Sequence, residues 1–332
     1  MLATVRIGMV GAGAVAARHL RTLQAMEGVE VAAVADPALE RARELAEAAG
    51  AAVFPNHMEL LAAERLDAVY VCVPPFAHGA PELAVIDAGL PFFVEKPVAI
   101  DLETASGIAA RLAERPLLTC TGYHWRWLDI YDRAAALLAD RPARLVHCSW
   151  LDKVPPPPWW PHRDGSGGQT IEQTTHVLDV ARGLAGEVTE VHAFGARAAV
   201  TSPARSAAGA DIDAVTVASL RFASGALGTV ASSCLLPRLH RAGVEVVADG
   251  LVLALTETEL VVEADGERRA WAADGNARPR PDRDFVAAVR GEADVIRVPW
   301  PEAYRTHLLA WAITRSAEEG RPLAVDGGDG RG

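Results

Sequence analysis

Lys96 stands in the stretch PFFVEKPV, where an apolar run ends in two opposite charges and a proline. With Lys153 it is one of only two lysines among 32 basic residues, so the chain otherwise places arginine at almost every cationic position. A lysine here needs a reason that a guanidinium cannot satisfy. An ammonium can shift its pKa and donate or relay a proton, which arginine effectively cannot. Further along, GGQTIEQTTHVLDVARGL carries Glu172, His176 and Asp179 at spacings of four and three residues. On a helix these share one face, and an acid, an imidazole and a second acid on one face can transfer protons or ligate a metal. A stable metal site wants a further ligand cluster, and none with suitable spacing is visible, so proton transfer is the better reading and no metal is expected. His176 as a satisfied core histidine and Asp179 as a structural carboxylate are the alternatives.

A second set of residues points to a dinucleotide. IGMVGAGAVAARHL places Gly11, Gly13 and Ala16 in a G-x-G-x-x-A pattern between an apolar run and a helical one. Gly11 permits a tight turn, Gly13 lets the backbone approach a pyrophosphate, and Ala16 lets the helix pack closely. The helix start at Ala14 and Val15 turns unpaired N–H groups toward the phosphates. Asp36 ends the second strand candidate, about 20 residues on, where an acid binds ribose hydroxyls. A carboxylate there repels a 2′-phosphate, and Pro37 follows where a phosphate-binding arginine would stand, so NAD is favoured over NADP; Arg41 and Arg43 read as solvated helix charges. VCVPPFAH closes the fourth strand candidate at the carboxyl edge, where open α/β sheets place ligands. Pro74 and Pro75 hold the chain rigid beside a nicotinamide, and His78 is either a cofactor contact or a solvent-facing residue at a helix start. VEKP closes the fifth at the same edge, which adds Glu95 and Lys96 to the cofactor-contacting set. Neighbours on a strand point to opposite faces, which argues against Lys96 being merely the ion-pair partner of Glu95.

The elements that must position these residues follow from periodicity. Residues 4–121 alternate short β-type runs (TVRIGMV, VEVAAVA, AAVF, DAVYVCV, PFFVEKP, LLTCTG) with Ala/Leu/Glu/Arg stretches whose apolar residues recur at helical spacing,. Such alternation implies a parallel sheet with helices on both faces. After Gly122 the pattern changes to a helix, a strand, a Pro- and Gly-rich loop, the histidine helix and then long β-type runs, with ASG between two of them reading as a hairpin turn,. The organisation expected is a dinucleotide-binding domain over 1–122 and a substrate-binding and oligomerisation domain over 123–332, whose closing helices can pack back on the first. SPARSAAGA, around 202–210, reads as a mobile loop.

Composition narrows the function classes. At 332 residues there is room for two domains,, and no window approaches the apolarity of a membrane span. The start runs directly into TVRIGMV without a secretory pattern, so a cytoplasmic location is the default expectation. Cys72, Cys120, Cys148 and Cys234 form no C-x-x-C pair and read as buried small hydrophobes,. A net charge of −11 disfavours nucleic-acid binding,, leaving a small molecule as the expected partner.

GAGAVA, Asp36, CVPPFAH, EKP and GGQTIEQTTHVLDVAR, in this order, resemble the Gfo/Idh/MocA family of glucose-fructose oxidoreductase and inositol dehydrogenase relatives over nearly the whole chain. The resemblance implies an N-terminal Rossmann doubly wound parallel sheet followed by an α+β domain with a large open, mostly antiparallel sheet. It also implies NAD(P)-dependent hydride transfer at a hydroxyl-bearing carbon of a sugar, sugar derivative or cyclitol. The family's EKP lysine falls on Lys96 and its helix histidine on His176, whereas the aspartate usual four residues earlier is Glu172 here. On that reading His176 removes the hydroxyl proton, Lys96 stabilises the alkoxide or relays the proton, and Glu172 orients the pair. TGYHWRW and KVPPPPWWPHRDGSGG are expected to border the site. Sugars present apolar C–H faces and hydroxyls, so Tyr123, Trp125 and Arg126 from the first stretch, and Lys153, Trp160 and His162 beside Trp159 from the second, are candidate lining groups; ordinary packing is the alternative for each. An NAD-assisted glycosidase of the same fold and a non-catalytic sugar- or dinucleotide-sensing regulator are the competing functions. Apolar outward positions in VTVASL and GTVASS suggest a homodimer or homotetramer with paired sheets.

Overall fold

In the computed structural model, which describes residues 4–197, 209–292 and 296–326, the chain divides into two compact units. Met1–Ala99, Glu103–His124 and Ala277–Tyr304 form the first; Ile100–Leu102, Trp125–Asn276 and Arg305–Gly332 form the second. Positions 202–208 of the segment expected to be a mobile loop lie outside the described residues.

The first unit follows from the alternation of β-type and helical runs. In chain order it contains β1 (Val5–Val10), α1 (Ala14–Gln24), β2 (Val29–Ala35), α2 (Leu39–Ala49), β3 (Ala52–Phe54), α3 (His57–Ala63), β4 (Ala68–Val71), α4 (Ala80–Ala88), β5 (Phe92–Val94), α5 (Leu102–Glu114, begun in the second unit) and β6 (Thr119–Thr121). The six strands are parallel in the order β3-β2-β1-β4-β5-β6. Consecutive connections step outward from β1 on one side and from β4 on the other. The strand order therefore reverses between β1 and β4, the place where doubly wound sheets bind ligands. Every residue of β4 is buried, because helices cover both faces of a central parallel strand.

The second unit contains α6 (Asp129–Leu138), β7 (Leu145–Leu151), the single turn α7 (Arg163–Ser166), α8 (Thr175–Ala185), β8 (Val188–Ala196), β9 (Val215–Phe222), β10 (Leu227–Ser233), β11 (Arg241–Ala248), β12 (Leu251–Leu255), β13 (Glu259–Ala264) and β14 (Glu267–Ala272). After α9 (Arg280–Val289), which belongs to the first unit, α10 (Trp300–Glu319) begins in the first and continues into the second, where β15 (Leu323–Ala324) closes the chain's described secondary structure. The nine-stranded sheet runs β14-β13-β12-β11-β7-β10-β9-β8-β15 and is antiparallel except where β7 and β10 lie parallel. Along β9 exposed and buried positions alternate, as one solvated and one covered face require. The β13–β14 hairpin is absent from the sequence expectation. Its Asp265-Gly266 turn has positive φ at both residues (55° and 79°), the conformation that an Asp-Gly pair favours in a two-residue hairpin. The charged character of ERRAWA, exposed nearly throughout, hides the strand from a hydrophobicity pattern.

Candidate active site

The glycine loop follows β1 directly. Gly11 has φ +95°, and a Cβ there would stand 2.4 Å from the Cys72 carbonyl oxygen, so only glycine fits. Gly13 differs. Its φ is an ordinary −81°, and an added Cβ would meet nothing within 4 Å. Among the described residues no neighbouring atom demands a glycine there, and its bare Cα fronts open space. Gly13, Ala14 and Val15 are exposed, and the start of α1 has no side-chain cap, leaving the first-turn N–H groups for an anion. Ala16 is fully buried. These features fit the pyrophosphate of a dinucleotide. Asp36, beyond β2, accepts from the Ala12 N–H at 2.9 Å and the Ala38 N–H at 2.8 Å, so its carboxylate braces the loop and keeps lone pairs for further donors. Arg41 and Arg43 are exposed on α2.

Pro74 is half-buried and Pro75 buried, at a short 3-10 turn after β4. His78 does not face solvent. Its side chain is completely buried, Nδ1 lies 2.6 Å from Glu82 Oε1, and the Gly79 N–H donates to the other Glu82 oxygen at 2.7 Å. Four-residue spacing at the start of α4 makes that pairing local. Nε2 of His78 has no hydrogen-bond partner among the described residues.

Lys96 follows β5 at the same carboxyl edge and is half-buried. Glu95, expected among the cofactor contacts, turns its carboxylate into the interior. It accepts from Arg18 at 2.9 Å and from His19 Nε2 at 2.8 Å, while its other oxygen lies 3.2 Å from the Lys96 N–H. His19 Nδ1 meets Asp282 of α9 at 2.6 Å. With a carboxylate at each ring nitrogen, both nitrogens carry protons. Burial alone would lower the His19 pKa, but Asp282 and Glu95 together raise it to about 9. Burial would likewise raise Glu95; His19 foremost, then Arg18 and Lys96, bring it down to about 2. Gly122 leaves the room this requires, since a Cβ there would lie 2.7 Å from the Glu95 carboxylate. Tyr123 is buried.

In the second unit the histidine segment is not a uniform α-helix: Thr170–Thr174 form a π-turn and α8 begins at Thr175. The face expected to carry Glu172, His176 and Asp179 is divided among three environments. Glu172 is half-buried and accepts from the Trp160 indole N–H at 2.7 Å. His176 is buried beside Trp125 and Trp150, with ring centroids 6.3 Å and 5.7 Å away and planes within 19°. Asp179 is fully buried and accepts from Arg126 Nε at 2.9 Å and from the Thr306 hydroxyl at 3.0 Å. Burial raises its pKa against the opposing pull of Arg126 and Arg182. Asp179 thus takes the structural reading.

The expected lining groups separate in the same way. The Arg126 guanidinium also contacts the Tyr131 hydroxyl at 2.5 Å and lies against the bare Cα of Gly183, which makes it an interior brace. Trp160 is wholly buried with Val154, Ile212 and Cys234, and its indole N–H donates to Glu172. Trp159 packs partly buried against that cluster, His162 is half-buried and Lys153 is exposed. All four cysteines are buried.

Comparison with known proteins then places the chain. Residues 5–123 match the oxidoreductase family with an NAD-binding Rossmann fold of the GFO/IDH/MocA group, and residues 142–250 match the GFO/IDH/MocA C-terminal domain. The chain belongs to the GFO/IDH/MocA family. Within this oxidoreductase family it is 28% identical to the myo-inositol 2-dehydrogenase of Thermotoga maritima over 69% of this chain and 68% of the relative. It is also 28% identical to inositol 2-dehydrogenase 1 of Saccharopolyspora erythraea over 97% of both chains. Among solved structures, a levoglucosan dehydrogenase in complex with NADH and levoglucosan superimposes with a TM-score of 0.86 at 18% identity, over 97% of this chain and 99% of that one, which shows a shared fold.

Sequence reasoning about this GFO/IDH/MocA chain missed Arg18, His19, Asp282 and Trp150. One signal for His19 was available: it lies among Ala16, Leu20 and Leu23 on the buried stripe of α1, and a polar group on an apolar stripe needs a buried partner. Nothing near Glu95 in the chain announces Asp282.

Proposed function

We propose that this chain is an NAD-dependent dehydrogenase of a cyclitol or sugar hydroxyl, with the first unit holding the cofactor and the second the substrate. The glycine loop carries the reading: space fronts Gly13 but not Gly11, at the strand edge where Lys96 also emerges. The relatives named as inositol dehydrogenases favour a cyclitol as the first substrate to test. Gly13, Ala14 and Val15 would hold the pyrophosphate and Asp36 the ribose diol, which favours NAD over NADP. When bound, NAD supplies a nicotinamide that accepts or returns hydride. His176 takes the hydroxyl proton, Lys96 offsets the charge developing on the oxygen, and Glu172, oriented by Trp160, holds a neighbouring hydroxyl.

The test is NADH formation with myo-inositol, scyllo-inositol and a panel of sugars, followed by Lys96→Arg and His176→Ala on the substrate found. Each variant is expected to lose on the order of a hundredfold in turnover while retaining NADH binding. Near-normal turnover in both would remove the catalytic pair and favour a sensor. Bond cleavage without net NADH would instead favour the glycosidase.

A further inference from the structure

The buried cluster behind Lys96 draws on three separate elements. Arg18 and His19 come from α1, whose first turn faces the open space before Gly13; Glu95 comes from the end of β5; Asp282 comes from α9. Both His19 contacts are buried and short, and its ring is packed by Phe93 and Tyr70, with centroids 4.9 Å and 5.4 Å away. A packing role alone does not call for charge here, because leucine would fill an aromatic cage at lower desolvation cost. The cluster's oxygens instead reach the Lys96 backbone, through Glu95 Oε2 at 3.2 Å from its N–H, and the charges of Glu95 and Lys96 act on each other.

We propose that His19 and Asp282 are positioning residues for Lys96: by balancing and orienting the Glu95 carboxylate, they set the field acting on the Lys96 ammonium. Asp282 keeps His19 charged, His19 and Arg18 share the Glu95 charge, and the Glu95 oxygen that meets the Lys96 N–H is thereby held in place. The same contacts fasten the lysine-bearing turn to the helix whose start would receive the dinucleotide phosphates. The inference rests on Lys96 being the group that handles the proton, as set out above. The groups facing His19 are Asp282, Glu95 and Tyr70, with Arg18 beside it on α1; burial pushes the Tyr70 hydroxyl well above its ordinary range, so it stays neutral throughout.

Because Lys96 and Lys153 are the only lysines, the test needs no substrate. Intact protein is acetylated at a pH between the ordinary histidine value of 6.5 and the His19 value of about 9, and the rates at the two lysines are compared by peptide mass spectrometry. In His19→Gln the Lys96-to-Lys153 ratio should fall about threefold or more, because the Glu95 charge then draws the Lys96 ammonium in more strongly; in Asp282→Asn, which removes an anion but lets His19 give up its proton more easily, the ratio should fall at a lower pH than in wild-type protein. NADH binding, followed by fluorescence, should persist. An unchanged ratio, or a higher one as a merely loosened turn would produce, overturns the proposal. Wild-type protein supplies a second readout if the variants do not fold: the ratio should step down as the pH passes about 9 and His19 loses its proton, and a ratio without that step also overturns it. Loss of turnover in Lys96→Arg together with unaltered labelling in the His19 and Asp282 variants would sink this inference alone; retained turnover in Lys96→Arg would sink the reading beneath it.

Discussion

Asp36 illustrates how one carboxylate serves structure and selectivity together. It takes one N–H from the glycine loop and one from the start of the next segment, so removing it loosens the loop and deletes the group that repels a 2′-phosphate. Asp36→Ala should therefore weaken NAD by about tenfold, close to 1.4 kcal/mol, while NADP changes less; titration of both cofactors measures the narrowing. Wild-type protein binding NADP more tightly than NAD would contradict the selectivity reading. Trp160 poses a similar question in the second unit. Trp160→Phe keeps an aromatic ring in the buried cluster but removes the donor to Glu172, so thermal unfolding should show a loss of about 1.5–3 kcal/mol, the range for a hydrogen bond to a charged group. If Trp160 acts through Glu172, Trp160→Phe and Glu172→Gln should raise KM to a similar extent.

At the scale of elements, the β1–α1 turn separates folding demand from binding demand at two glycines. Gly11→Ala forces a side chain into a positive-φ residue against the Cys72 carbonyl, at a cost of about 1–3 kcal/mol or more. Gly13→Ala introduces a methyl group where the described residues leave nothing within 4 Å, so denaturation should be nearly unchanged while NADH affinity drops by about tenfold or more. Equal effects of the two substitutions on folding would contradict this division. The α1–β5–α9 cluster adds a pH dependence. His19 is raised to about 9, so its stabilisation is complete below the ordinary value of 6.5 and is lost as pH rises through 9. Glu95 is lowered to about 2 from an ordinary 4.5; its stabilisation is present above 4.5 and is lost as pH falls through 2. The melting temperature should decline from pH 6.5 toward 9 in wild-type protein, and this alkaline decline should flatten in His19→Gln.

For the whole molecule, exposed apolar strands bear on assembly. On the nine-stranded sheet the face away from α6 and α8 exposes Phe194 beside Val217 and Leu145 beside Leu227. Among the described residues this leaves apolar side chains on adjoining strands in water, a pattern that marks contact surfaces. We expect a homodimer or homotetramer joined through this face, as closed symmetry would allow. Sedimentation at micromolar concentration should show the oligomer, and Val217→Lys should shift it toward monomer; wild-type protein that remains monomeric would remove the expectation. Among the described residues no helix is long and apolar enough to cross a membrane.

What the sequence by itself determined is whatever local pattern governs. Alternating β-type and helical runs set the six-stranded parallel sheet and the change to a mostly antiparallel one, because side-chain periodicity decides which face an element buries. Gly11 was legible because a tight strand-to-helix turn needs a backbone conformation that other residues avoid, and Lys96 because it stood out in a chain that otherwise uses arginine. Only the tertiary structure decided the partners of polar groups. Glu95 meets His19 at a separation of 76 residues and His19 meets Asp282 at 263, distances over which no spacing rule operates. The same holds for Arg126 and Trp160, whose composition suggested a sugar-lining surface and whose contacts place them inside, bracing Asp179 and Glu172. The π-turn that redirects Glu172 was equally hidden, since α-helical spacing assumes the regular rotation that an i→i+5 turn interrupts. A buried polar side chain must be satisfied by whatever the fold brings against it, and that neighbour is a property of the assembled chain.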